Sequence, residues 1–198
     1  MTQNTVDLAT LVGSRICHDL ISPIGAIDNG LELLNMSGIV EGPELELIQQ
    51  SVGSASARIR FFRIAFGAAG DQMVGPSEIT SILRDLYDSS RLELDWTPAD
   101  PQPRSSVRLA FLGVLCLEAA MPYGGRAEVS EKDGAWVLEG TANKINMDLD
   151  LWDHLAAETA QHPLQPSQVE FALLPLFAKK LGRKIVTGSD EARVTISF

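Results

Sequence analysis

The chain has 198 residues, 45% hydrophobic and 21% charged, the balance of an ordinary globular protein rather than a disordered or membrane-embedded one. Its net charge of -10 and pI near 4.7 argue against sequence-independent nucleic-acid binding, which needs a cationic surface facing phosphates. Proteins or small molecules are the expected partners, with no nucleic acid and no membrane. Cys17 and Cys116 are too few for a disulfide scaffold and lack metal-ligand spacing, so both are expected as small buried hydrophobes in a reducing cytoplasm. Met1 to Leu8 lacks the basic start and apolar run of a signal peptide, which points to a cytoplasmic location. The most apolar stretch, Leu109 to Met121, contains Glu118 and is shorter than the roughly 20 residues that span a bilayer, so it reads as a core helix.

From Val6 to Leu34 apolar residues keep a heptad rhythm, Cys17, Ile24 and Leu31 in one row and Gly13, Leu20, Ile27 and Leu34 in the other, which predicts a long helix with one packed seam. Gly38, Gly42 and Pro43 interrupt it. A second helix follows, with Leu45, Ile48, Val52, Ala55, Ile59, Phe62 and Phe66 three and four apart. An antiparallel hairpin of two helices leaves much of each seam in water. Two chains forming a four-helix bundle would cover it, which makes a homodimer the expectation; the second half of the same chain is the alternative cover.

Gly67, Gly70, Gly75 and Pro76 then mark a loop, which divides the chain into residues 1–71, the helical hairpin, and 72–198, a mixed α/β unit. Within that unit the patterns predict a helix from Ser77, as its cap, to Ser90; a strand Leu92 to Trp96; and a helix Ser105 to Ala120. Ala127 to Ser130 and Trp136 to Glu139 form a hairpin around Lys132-Asp133-Gly134. Helices Asp148 to Glu158 and Ser167 to Leu181 come next, then strands Lys184 to Thr187 and Arg193 to Phe198. The expected fold class is α+β, with helices covering one face of a mostly antiparallel sheet in the second unit. Trp96, Trp136 and Trp152 are assigned to the core or an interface, and His154 and His162 to the surface.

His18 follows Cys17 in the heptad count and so lies off the seam, on the side where Arg15, Ser22, Gly25 and Asn29 also project. Small and polar neighbours leave an imidazole open to solvent and let another protein approach. A neutral imidazole has a nitrogen lone pair that can attack phosphorus, and Asp19 could hold the other ring nitrogen as an N–H donor and stabilise positive charge on a phosphohistidine. The plain alternative is an ordinary exposed helical histidine. Pro23 costs a helix interior roughly 3 kcal/mol, which suggests a purpose, although a structural kink without chemistry is one.

The segment His18-Asp19-Leu20-Ile21-Ser22-Pro23-Ile24 resembles the H-box of sensor histidine kinases. The layout of the second half is similar to the ATP-binding domain of those kinases, with Leu181-Gly182-Arg183-Lys184-Ile185 at the junction of its last helix and strand pair. The chemistry of that domain is missing. No Asn occurs between Asn35 and Asn143, so the magnesium-binding asparagine is absent from the Ser105 helix, where Glu118 is the nearest polar residue; no Gly-x-Gly occurs to let backbone wrap around phosphates. Glu118 reads as a structural carboxylate rather than a metal ligand.

A hairpin with an H-box followed by a degenerate ATPase-like domain resembles the ChpT-type histidine phosphotransferases, the likeness being strongest from Ser14 to Leu34. The resemblance implies a dimeric four-helix bundle and a phosphorelay intermediate without autokinase activity. Phosphoryl would pass to His18 from a receiver-domain aspartate of a hybrid kinase and on to response-regulator aspartates. It implies His18 and Asp19 as catalytic residues, with Arg15, Ser22, Gly25 and Asn29 on the docking face and Arg15 attracting phosphate oxygens. It also implies no cofactor or metal on this chain, Mg2+ belonging to the partner receiver. Two rivals are a degenerate kinase or phosphatase that binds ATP by other residues, and a dimeric scaffold with a vestigial His18.

Overall fold

The computed structural model describes residues 3–37, 42–68, 70–88, 90–157 and 164–198. Two long helices come first, α1 (Gln3–Ser37) and α2 (Pro43–Ala65), packed along each other as an antiparallel hairpin. The connecting turn expected between Met36 and Pro43 lies mostly outside the described residues. α1 runs unbroken through Pro23. Pro43 starts α2, where its fixed φ suits the first helical turn and its missing N–H costs nothing. Glu44 and Glu46 in the first turn and Arg63 in the last complement the helix dipole.

Beyond the hairpin the order is β1 (Met73–Val74), α3 (Pro76–Tyr87), β2 (Leu92–Trp96), β3 (Gln102–Pro103), α4 (Arg104–Ala120), β4 (Gly125–Lys132), β5 (Ala135–Thr141), α5 (Leu149–Ala157), a 3-10 turn (Pro166–Gln168), α6 (Val169–Lys180), β6 (Val186–Ser189) and β7 (Arg193–Ser197). Ser77 does not cap α3: Gly75 holds the cap position without a side-chain bond and Pro76 is the first helical residue, so proline displaced the expected start. β1 and β3 pair as a two-residue antiparallel ribbon that the sequence pattern missed. The main sheet has the order β2-β4-β5-β7-β6, with β2 parallel to β4 and every other pair antiparallel. The β4–β5 turn is sharper than a generic loop. Asp133 and Gly134 both take positive φ, 54° and 82°, the signature that joins two twisted strands in two residues.

α4 is the centre of the molecule. Every residue from Ser106 to Leu117 is buried, as expected of a helix that is apolar all round. It touches β5 and β7 on the sheet and α2 and α6 on its other sides. Phe111 stacks on Phe61 of α2 with ring centroids 4.5 Å apart, and Trp96 and Trp136 meet at 5.5 Å above it. One hydrophobic core therefore includes Phe61, Phe62, Ile64 and Ala65 of α2 together with the sheet, α4 and α6. The base of the hairpin is built into the α/β unit rather than tethered to it.

Polar contacts lock the junction. Arg104 donates to the carbonyls of Arg63 at 2.6 Å and Ala68 at 3.3 Å, and Arg108 donates to that of Gly67, satisfying groups that the end of α2 leaves unpaired. One surface assignment and one buried assignment are corrected here. His154 is buried, at 9% exposure, because α5 lays that side against α6, while Cys17 is exposed in the single chain. Cys116 is buried as expected, and His162 lies outside the described residues. Among the described residues no helix is long and apolar enough to cross a membrane.

Candidate functional site

His18 stands on α1 with 81% of its side chain exposed. Its Nδ1 lies 3.0 Å from Oδ1 of Asp19, so the adjacent carboxylate holds one ring nitrogen. With Nδ1 as the N–H donor in that bond, the lone pair sits on Nε2, at the outer end of the ring. Asp19 itself is nearly covered, at 11% exposure. The pair thus combines an open imidazole with a sheltered carboxylate.

Ser22 and Asn29 are exposed along the same helix, and a Cβ built on Gly25 would meet nothing within 4 Å. These positions set small and polar side chains beside His18, with the exposed Ile21 one turn away. Arg15 does not share that open face. Its Nε donates to Oδ2 of Asp19 at 2.8 Å, its Nη1 donates to the carbonyl of Ser167 at 2.9 Å, and the same Nη1 is 3.5 Å from Glu170. Only 14% of its side chain is exposed. The heptad put Arg15 toward solvent, but the start of α6 occupies that side, so the guanidinium is spent within the chain.

Around Asp19 the structure gathers charged groups from distant parts of the sequence. Arg58 of α2 approaches the same Oδ2 at 3.8 Å. Glu118 of α4 accepts the hydroxyl hydrogen of buried Tyr87 at 3.2 Å, and that tyrosine is pushed well above its ordinary pKa by burial and by the neighbouring carboxylate. Burial works against the charge on Arg15, but Glu170 and then Asp19 outweigh it and raise its pKa. Glu170, 1% exposed in the first turn of α6, is pushed up to about 7 by burial, with Arg15 pulling the other way.

Sequence reading had His18 and Asp19 but neither Arg58 nor Glu170. No local pattern marks those two; only the packing of α2 and α6 against α1 brings Arg58 to Asp19 and Glu170 to Arg15. Glu118, read as a structural carboxylate, accepts from Tyr87 at the edge of this cluster.

Comparison with known proteins agrees in extent with this architecture. The family model for the histidine phosphotransferase C-terminal domain matches residues 76–193. The protein phosphotransferase ChpT of Brucella abortus (strain 2308) is 33% identical over 192 residues, 93% of this chain and 91% of that protein. A solved structure of a bacterial phosphotransferase is similar at a TM-score of 0.81 and 30% identity, covering 100% of this chain and 98% of that one.

Proposed function

Because the chain belongs to the ChpT-type histidine phosphotransferases, we propose that His18 is the phosphoryl carrier of a bacterial phosphorelay, loaded from a receiver-domain aspartate and discharged to response-regulator aspartates. The observation that carries this reading is the exposed imidazole whose Nδ1 is tied to Asp19 while its other nitrogen faces outward.

In the forward step the Nε2 lone pair attacks phosphorus of an aspartyl phosphate, the phosphorus–oxygen bond to the aspartate breaks, and the carboxylate leaves with the electron pair. Asp19 stabilises the positive charge that the ring then bears. The reverse sequence loads a second receiver. Both are in-line transfers dominated by positioning and charge neutralisation, and the Mg2+ that neutralises the phosphoryl group belongs to the receiver. Ser22, Gly25 and Asn29 form the surface on which the receiver sits. Arg15 orients Asp19 rather than contacting phosphate.

We further propose that two chains pair through the hairpin. Ile24, Leu31, Val52 and Ile59 are each 47–56% or so exposed, recur seven residues apart on their helices, and form an apolar strip that His18 does not enter. Covering each half-exposed side chain contributes roughly 1 kcal/mol. The α/β unit is in this reading an ATPase-like domain that has lost nucleotide chemistry: α4 carries no asparagine, Glu118 being its nearest polar residue, and Gly-x-Gly for phosphate wrapping is missing from the sequence.

The test is incubation with a phosphorylated receiver. Acid-labile, alkali-stable phosphate is expected on the wild-type chain and not on His18→Ala. Label from ATP alone would favour the kinase rival, and partner signalling intact in His18→Ala would favour the scaffold.

A further inference from the structure

We propose that Glu170, on the far side of the sequence from the H-box, is a positioning residue for phosphoryl transfer, acting through Arg15 and Asp19 on the His18 ring; this rests on His18 being the phosphoryl carrier. The contacts form a continuous line. Glu170 lies 3.5 Å from Arg15 Nη1, Arg15 Nε donates to Asp19 Oδ2 at 2.8 Å, and Asp19 Oδ1 is 3.0 Å from His18 Nδ1. The seating of α6 against α1 is thereby coupled to the orientation of the imidazole.

Packing alone does not account for Glu170. Its side chain is 1% exposed and Oε2 makes no hydrogen bond, so what offsets burial at that oxygen is the 3.5 Å ion pair with Arg15. Arg15 is already held by the Ser167 carbonyl and by Asp19. What Glu170 adds is a negative charge on the far side of the guanidinium. That charge decides how Asp19 is shared, because Arg58 stands 3.8 Å from the same Asp19 oxygen. Held from α6, Arg15 keeps one carboxylate oxygen and leaves Oδ1 to His18. Released, it leans fully on Asp19, and the carboxylate is free to turn toward the two arginines and away from the ring.

The charge is also adjustable near neutrality. Arg15 and Asp19 from α1 and Glu118 and Cys116 from α4 face Glu170, and burial pushes its carboxyl up to about 7 against the pull of Arg15. As pH falls through that value Glu170 is neutralised and its hold on Arg15 is lost. Glu170→Gln mimics the neutral form at every pH. The folded-state value is raised above the ordinary 4.5, so ionising Glu170 costs stability as pH rises between the two, and Gln should not weaken the fold above neutrality.

The experiment compares the full-length wild type and Glu170→Gln by three readings: rate of label uptake from a phosphorylated receiver across pH, melting temperature, and the nitrogen resonances of the His18 ring in the partner-free protein. The expected result is transfer about tenfold slower in the variant near pH 8, converging with wild type near pH 6, with Tm equal or higher and His18 nitrogen shifts altered. Equal rates at the higher pH with unchanged His18 resonances would overturn the proposal. So would slower transfer accompanied by a lower Tm and unchanged resonances, the mark of a structural role. If the wild type takes no label from receivers, the carrier reading fails, and the ring resonances still decide on their own whether Glu170 acts on His18.

Discussion

Asp19 divides its two oxygens between His18 and Arg15, and that division sets what each substitution should do. Asp19→Asn keeps the shape and an acceptor for Nδ1–H but removes the negative charge that stabilises a positively charged ring. Transfer should slow about 100-fold in a rapid-quench assay and the melting temperature should fall, because the amide then turns its NH2 toward Arg15 Nε–H and removes the charge that faces that guanidinium. Gly25 separates the two effects. Nothing lies within 4 Å of an added Cβ, so Gly25→Ala should raise stability by about 1 kcal/mol through helix propensity, whereas Gly25→Phe should fold and slow transfer by obstructing the receiver. For Glu170→Gln, the raised carboxyl predicts stabilisation on the order of 1–3 kcal/mol above neutral pH, vanishing as pH falls below the unfolded-chain value, measurable by urea denaturation at several pH values. The contact between His18 and Asp19 was legible in the sequence because the two are neighbours on one helix. Arg58 and Glu170 were not, since Arg58 reaches Asp19 and Glu170 reaches Arg15 through contacts between elements far apart in the chain.

At the scale of elements, legibility followed length and turn chemistry. The two long helices declared themselves by heptad spacing, and the β4–β5 hairpin by Asp133-Gly134, where positive φ demands those residue types. Two-residue strands such as β1 and β3 have no period to read. His154 was misplaced because polar neighbours suggested an open surface, while the burial comes from α5 packing on α6. The contact between α4 and the sheet is tight enough to test. A Cβ at Gly113 would sit 2.5 Å from Leu138 Cδ2, and Leu138 is fully buried, so Gly113→Ala should lower the melting temperature despite better helix propensity, with overpacking costing roughly 1–3 kcal/mol.

For the whole molecule, the continuous core through Phe61 and Phe111 means the hairpin and the α/β unit should unfold together. Composition hinted at one or two domains and could not see this, because the joining residues sit on α2, where Phe62 reads as an ordinary seam position and Phe61, Ile64 and Ala65 fall off the seam. The same helices leave Val52 at 47% and Ile59 at 56% exposure, which is where pairing of two chains is expected. Val52→Glu with Ile59→Glu should yield a folded monomer in sedimentation, with the α/β core intact by circular dichroism. A wild-type chain that sediments as a monomer would remove the dimer from the account. The most direct trial of the central claim is transfer itself. A phosphorylated receiver mixed with the wild-type chain should give acid-labile, alkali-stable phosphate that is lost in His18→Ala, whereas label that persists in His18→Ala would contradict it.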